Sequence, residues 1–437
     1  MLLVLGGCSK PPERASVWTP PTKVTESLGG LGGGLIAYPY KNSVMALQSQ
    51  RDGSAKCFFL SPSSETSNAW SEVRLATDGG TYVWEAPATD PTNERVMFVR
   101  GYLENDQLMM SVLLGKMTEG VGLRDAVERN WVREKRALFG ETGPNVRLVE
   151  PGRRYWLGPV PGILSGSEAY VPYSVDAQTY SGNTSRHGPF NNGVFHSTDS
   201  GRTWEMERVS DFSAWALAMC RTKSYYYYFM LKGPRDGLWF SRKPVTGDSW
   251  TAPAVVAEAH SVVKGGGVIA EGDTVHLCWL DRRHERRRFN LQAPDRENYE
   301  VAYCRRRDSD ANWSKDVLLS RGMLYSYAPS MAVEGNKIVV AWAGVPTAPD
   351  WHVESHANDI YFAASKDSGK TWTKPQRGTD NIKADITTGI PAVALLNGVI
   401  HLLYIQGKLN LKREASGLTK LNQPPWPIYY QRRTFPE

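Results

Sequence analysis

Two eight-residue segments, Ser197-Thr-Asp-Ser-Gly-Arg-Thr-Trp204 and Ser365-Lys-Asp-Ser-Gly-Lys-Thr-Trp372, are near-copies, and this repetition restricts the fold more than any other feature of the chain. Each follows a strand-like run, Gly193 to His196 in one case and Asp359 to Ala364 in the other. The octapeptide is hairpin chemistry. Asp and Ser side chains accept backbone N–H bonds inside a turn, Gly supplies a positive φ, and Trp packs at the base. Looser copies keep the rhythm: Phe240-Ser241 leads to Gly247-Asp-Ser-Trp250, Tyr303-Cys304 to Asp308-Ser-Asp-Ala-Asn-Trp313, and Phe58-Phe-Leu-Ser61 to Asn68-Ala-Trp70. Trp204, Trp250, Trp313 and Trp372 are 46, 63 and 59 residues apart, one supersecondary unit per interval.

Around each copy the pattern is four short strands. One unit reads Val268-Ile-Ala, Thr274 to Trp279, Tyr299 to Tyr303, then Trp313 to Leu319. Four-stranded units at this period predict an all-β propeller. The blades fall near 35–75, 94–137, 153–209, 213–258, 265–320 and 327–378, with a last set of strands near 390–396, 399–405 and 428–433. That set lacks an outer strand, and Ser16-Val-Trp-Thr-Pro-Pro21 resembles the Trp-led outer strands elsewhere. Seven blades follow, with the ring closed by an N-terminal strand; six is the alternative. The second unit has no turn motif, and Gly120 to Lys135 reads as partly helical. Residues 9–437 form a single domain in this reading.

Composition agrees. The 437 residues are 41% hydrophobic and include 15 Trp, 20 Tyr and 12 Phe, which excludes a disordered chain. The 40 Gly and 27 Pro supply many turns. No run approaches the roughly 20 apolar residues of a membrane-spanning helix. The net charge of +6 favours acidic glycans or anionic surfaces and does not call for nucleic acid.

At the start, the apolar run Met1 to Gly7 ends in Gly6-Gly7-Cys8 and resembles the lipobox of bacterial lipoproteins. Residues 1–8 are then a signal remnant, with Cys8 lipidated and the domain tethered to a bacterial envelope membrane, facing periplasm or exterior. No Lys or Arg precedes Cys8. Cys57, Cys220, Cys278 and Cys304 lie in apolar β-like runs, and no Cys-x-x-Cys occurs.

The octapeptides resemble the Asp-box, the bacterial neuraminidase repeat of the sialidase superfamily, with Ser197, Asp199, Gly201 and Trp204 and Ser365, Asp367, Gly369 and Trp372 in its positions. The likeness covers nearly all of the chain after residue 35. Asn42 to Asp52 resembles a first-blade sialidase strand, and Gly158 to Ile163, Ala169 to Pro172 and Gly193 to Trp204 resemble the third blade. The resemblance implies a propeller whose boxes are structural and peripheral. It also implies three arginines around a substrate carboxylate, a Tyr nucleophile activated by Glu, and an Asp acid/base. Here the sequence departs. Leu31 to Tyr40 contains no Arg where the Arg-Ile-Pro motif belongs, Ser213-Ala-Trp215 stands where the Glu belongs, and Leu231-Lys232 where a second Arg belongs. Lys lacks the planar fork for bidentate contact. Arg51 matches a family position of secondary role.

Other constellations are weighed beside these. Asp281-Arg282-Arg283-His-Glu-Arg-Arg-Arg288 reads as a cationic rim for an acidic ligand or as a solvated loop. His352, Glu354 and His356 alternate like metal ligands on an extended chain, or simply occupy a surface loop, and no metal or cofactor is expected. Tyr225 to Tyr228 read as strand core. Tyr325 and Tyr327 precede an inner strand, where loops reach the axial face, and read either as sugar-stacking residues or as strand core; Arg153 sits at the matching entry to the third unit.

Two functions stand. The first is an envelope-tethered, non-catalytic binding or scaffold subunit that holds partner proteins or glycans. The second is an exo-sialidase-like glycoside hydrolase acting on acidic glycans with a non-standard site. Weak candidates for its chemistry are Asp281, Tyr325 and Tyr327, with Arg282, Arg283, Arg153 and Arg51 as ligand-binding residues.

Overall fold

The computed structural model describes residues 18–27, 35–40, 43–49, 55–60, 70–75, 85–90, 95–104, 107–116, 132–137, 153–157, 162–181, 184–187, 191–212, 214–232, 237–257, 262–281, 283, 299–323, 325–345, 358–380, 386–408, 410–414, 417–421 and 426–436. All the regular structure among them is β.

Seven antiparallel sheets follow one another along the chain, each with a path of four strands. Sheet 1 contains Leu35–Tyr40, Ser43–Ser49, Ala55–Leu60 and Trp70–Leu75, and sheet 2 contains Glu85–Asp90, Arg95–Glu104, Gln107–Lys116 and Val132–Ala137. Sheet 3 runs Ile163–Ser165, Glu168–Ser181, Asn191–Ser197 and Glu205–Arg208. Its long second strand also pairs with Arg153–Leu157 and Thr184–His187. Sheet 4 contains Trp215–Arg221, Tyr225–Leu231, Leu238–Pro244 and Ala254–Ala257, and sheet 5 contains Val262–Glu271, Thr274–Asp281, Glu300–Arg307 and Val317–Leu318. Sheet 6 contains Tyr325–Glu334, Lys337–Val345, Asp359–Ser365 and Gln376–Arg377. Sheet 7 joins Ile386–Leu396, Val399–Lys408 and Trp426–Thr434 to Thr22–Ser27 from the other end of the chain. Between the second and third strands of sheet 7 in sequence, Asn410–Glu414 and Gly417–Leu421 form a separate two-stranded hairpin.

The completing strand of sheet 7 lies just after the Ser16–Pro21 segment expected from sequence. Trp18 and Thr19 lock it in place. Thr19 N–H donates to the Arg432 carbonyl, Arg432 N–H donates to Thr19 Oγ1, and the Trp18 ring meets Phe362 edge-on. In the stretch expected to be partly helical, Val132 to Lys135 are strand, paired with Leu114 to Ser111, and the residues before Val132 lie outside the described set.

The core is divided into slabs between successive sheets. Phe229 and Phe240 of sheet 4 pack on Leu277 and Trp279 of sheet 5. Cys278 and Tyr303 of sheet 5 pack on Val340 and Trp342 of sheet 6. Val339 and Phe362 of sheet 6 meet Val393 and Leu402 of sheet 7, and Leu403 and Ile428 of sheet 7 meet Val44 and Ala46 of sheet 1. A strand covered on both faces should be apolar throughout, and Thr274–Asp281 is buried along its whole length. Burying one such large side chain contributes about 1.5–3 kcal/mol. Tyr226, Tyr227 and Tyr228 are buried in this way, as expected of strand core.

Four inner strands carry the same defect. Between Glu85 and Ala88, Gly265 and Val268, Tyr327 and Ser330, and Gly389 and Ala392, two residues oppose one on the neighbouring strand. Ala328 (φ 50°) and Ile390 (φ 48°) occupy these bulges in the left-handed region, each directly before a proline. A β-branched residue there is strained, so the surroundings must hold it.

Candidate axial site

The first strands of all seven sheets line one cavity of about 660 Å³, bounded by Leu35 to Pro39, Ala88, Gly162 to Ser165, Ala218 to Arg221, Gly267 to Glu271, Ala328 to Val333 and Ile390 to Val393. Its two ends differ. At one, first and second strands are joined by tight turns with positive φ at Gly166, Gly272, Gly335, Asn397 and Gly398. At the other lie the ends of the second strands and the starts of the third, such as Asp281 and Glu300 in sheet 5 and Val345 and Asp359 in sheet 6.

Both octapeptides sit at the turn end. Ser197 Oγ and Ser365 Oγ accept the N–H of Gly201 and Gly369, each at 2.8 Å. Asp199 accepts from Thr203 N–H (2.8 Å) and Thr203 Oγ1 (2.6 Å), and Asp367 repeats both bonds with Thr371 at the same distances. Trp204 and Trp372 Nε1 donate to the carbonyls of Gly201 (3.0 Å) and Gly369 (3.3 Å). Bonds from Thr203 hold the Asp199 carboxyl well below its usual range. Partial burial pushes Asp367 up, but bonds from Thr371, Ser365 and Lys370 outweigh it and bring it to about 2. Each hairpin is tied to the inner turn of its own sheet, Ser200 N–H to the Ser167 carbonyl and Ser368 N–H to the Asn336 carbonyl, both at 2.8 Å.

The loop end gathers most of the candidate residues. Asp281 closes the second strand of sheet 5 and is fully buried. It accepts from Trp279 Nε1 (3.2 Å) and from Arg283 N–H (2.8 Å), and the Arg283 guanidinium bridges Asp281 and Asp316, each at 2.5 Å. In sheet 6, Asp359 accepts from Arg377 Nε (2.7 Å) and Thr379 Oγ1 (2.9 Å). Tyr327 Oη receives a bond from Asn358 Nδ2 (3.1 Å) and donates to the Thr388 carbonyl of sheet 7 (3.4 Å). Tyr325 heads its strand opposite Val345, and Arg153 heads its strand opposite Thr179. Cys8, Arg51, Arg282, His352, Glu354 and His356 lie outside the described residues. Among the described residues no group of three His, Cys, Asp or Glu side chains converges.

Two polar arrangements had no sequence signal. Between sheets 3 and 4, Glu207 accepts from Lys243 Nζ (2.7 Å) and Trp250 Nε1 (2.8 Å) and pairs with His196 Nδ1 (3.2 Å). Burial raises the Glu207 pKa, but the bonds from His196, Lys243 and Trp250 win and hold it at about 2. In sheets 5 and 7, equivalent buried histidines bond tyrosines, His276 Nδ1 to Tyr303 Oη (2.7 Å) and His401 Nδ1 to Tyr430 Oη (2.9 Å). Burial, with Arg305 and Arg432 adding to it, depresses both imidazoles to about 4.

No protein-family model and no curated protein matches the chain. Solved structures do. The chain is similar to the phage phi92 endosialidase, with a TM-score of 0.50 at 10% identity, covering 96% of this chain and 69% of that one. It is also similar to the polysaccharide lyase Uly1, with a TM-score of 0.51 at 10% identity, covering 93% and 90%. A Trypanosoma rangeli sialidase aligns at a TM-score of 0.44 and 9% identity over 94% of this chain and 55% of its own. The likenesses to the endosialidase and the lyase show an all-β, propeller-like fold.

Proposed function

We propose that this protein is a non-catalytic, sialidase-like binding subunit that holds glycans or partner proteins at the ends of its axial cavity. The observation that carries this reading is charge pairing at the loop end. Among the described residues there, Arg283 is shared by Asp281 and Asp316, and Arg377 is taken by Asp359. The clamp arginines that the sialidase resemblance implies have no counterpart at Leu31 to Tyr40 or at Leu231-Lys232, these two described loop-end arginines are each paired with acids, and the Tyr327 hydroxyl bonds Asn358 and the Thr388 carbonyl. In the same reading the seven sheets are blades of one ring, sealed where Thr22–Ser27 pairs with Trp426–Thr434, and the octapeptides are Asp-boxes. A lipid on Cys8 tethers the ring to the bacterial envelope. The second reading, hydrolysis of acidic glycans, draws on the endosialidase and lyase likenesses, which concern the fold.

Incubation with a fluorogenic sialoside tests the choice. The expected outcome is no turnover by wild type above a buffer blank, together with retention of acidic oligosaccharides on the immobilised protein. Turnover that disappears in Tyr327→Phe would replace this reading with the hydrolase.

A further inference from the structure

At the turn end of the cavity, the Arg221 guanidinium has no carboxylate partner among the described residues. Arg221 closes the first strand of sheet 4 and lines the cavity beside Ser165 of sheet 3. Its Nη1 donates to Ser165 Oγ (2.5 Å), and the guanidinium carbon lies 5.5 Å from the Tyr226 ring centroid. These are its side-chain partners among the described residues; Glu168, opposite Ser165 in the hairpin, accepts the Tyr226 hydroxyl. Tyr226 and Ser165 therefore hold the fork in place while leaving most of its five N–H donors free. Glu271 is the other ionisable carboxyl or basic group among the described lining residues, and it accepts from Gly335 N–H (3.2 Å). Beside Ser165, a Cβ on Gly166 would meet nothing within 4 Å, while the Gly166 N–H is held by Asp90 (2.8 Å) and its carbonyl accepts from Arg95.

A half-buried, oriented and unpaired guanidinium attracts an oxyanion, with which it forms short charge-assisted bonds. The cavity is within the usual size of small-ligand sites. We infer that Arg221 and Ser165 form a binding site for the acidic group of a sugar, a carboxylate or a sulfate, at the opposite end of the cavity from Tyr327. This inference rests on the glycan-binding reading above and names the residues and the end of the ring that carry it.

Calorimetric titration of the full chain with galacturonate oligosaccharides, galactose sulfate, neutral galactose oligosaccharides, inorganic sulfate and inorganic phosphate tests it. Acidic sugars should bind and neutral ones should not. Arg221→Gln should weaken acidic-sugar binding at least tenfold and Ser165→Ala several-fold, with far-UV circular dichroism unchanged, while the exposed charge control Lys374→Gln binds as wild type. Binding kept in Arg221→Gln but lost in Tyr327→Phe overturns this site and leaves the proposed function standing. Binding of inorganic anions alone overturns the sugar assignment, and acidic sugars that bind none of the variants or the wild type defeat the glycan reading as well.

Discussion

The Glu334 carboxylate, at the end of an inner strand in sheet 6, holds the turn at Gly398 in sheet 7: Oε2 accepts Gly398 N–H at 2.8 Å, and Oε1 accepts Asn397 N–H at 2.5 Å. The same contact recurs twice. Glu271 accepts Gly335 N–H of the following sheet (3.2 Å), and Asp90 accepts Gly166 N–H (2.8 Å). Tight turns leave N–H groups without a ladder partner, and an acid from the preceding sheet satisfies them. The latch ties each of these turns to the neighbouring sheet at the turn end of the cavity.

Glu334→Ala should lower stability by about 1–2 kcal/mol, the range for losing charge-assisted bonds near solvent. Urea denaturation reads it as a lower midpoint at unchanged slope. Equal midpoints for wild type and variant would show that the latch contributes nothing.

Two glycines should respond differently to alanine. At Gly369 a Cβ would sit 2.0 Å from Tyr303 Oη, and φ is +82°, so clash and strain combine. At Gly272, φ is +62° and nothing lies within 4 Å. Gly272→Ala should cost about 1 kcal/mol, and Gly369→Ala about 3 kcal/mol or more. Thermal unfolding of the pair distinguishes them, and similar losses would contradict the packing around the second octapeptide.

Acid should loosen the fold through two imidazoles. His276 and His401 fall from an ordinary 6.5 to about 4 in the folded chain, so on acidification the unfolded chain takes up protons first. Their effect is absent above pH 6.5, and stability is lost as pH falls from there towards 4, by about 1.4 kcal/mol per pH unit for each residue. Urea midpoints at pH 7, 5.5 and 4.5 should decline, and the decline should be shallower in the double variant His276→Gln/His401→Gln. An identical slope in that variant would rule out these residues as the source.

Arg283→Ala leaves Asp281 as a fully buried carboxylate held, among the described residues, by Trp279 and one backbone N–H. A loss of about 3 kcal/mol is expected, partly recovered when Asp281→Asn is added. A neutral single variant, measured by urea denaturation, would mean the pair is not what holds this loop.

How much of this was legible in sequence follows from the range of each interaction. The octapeptide is a local motif whose Ser, Asp, Gly and Trp satisfy one another within eight residues, so the units that carry it or a looser copy could be read from its recurrence, whereas the second and last units, which have none, rested on strand patterning alone. The bulges at Ala328-Pro329 and Ile390-Pro391 read as strand ends, because proline marks turns more often than strand interiors. The Glu334 latch joins a side chain to a backbone N–H 64 residues away, and a backbone group leaves no mark in sequence. Asp281 and Arg283 were visible as a charged cluster, but mutual neutralisation is a matter of geometry. Arg221 and Ser165, 56 residues apart in different sheets, belong to no motif at all.

The two ends of the chain join in sheet 7, where Thr22 lies opposite Tyr430 and Ser27 opposite Trp426. Amide hydrogen exchange of the full chain, compared with a chain beginning at residue 28, tests it directly. Loss of the outer strand should sharply reduce protection across Trp426–Thr434 and weaken it in the adjoining Val399–Lys408. Unchanged protection in both strands would contradict a ring sealed at that seam.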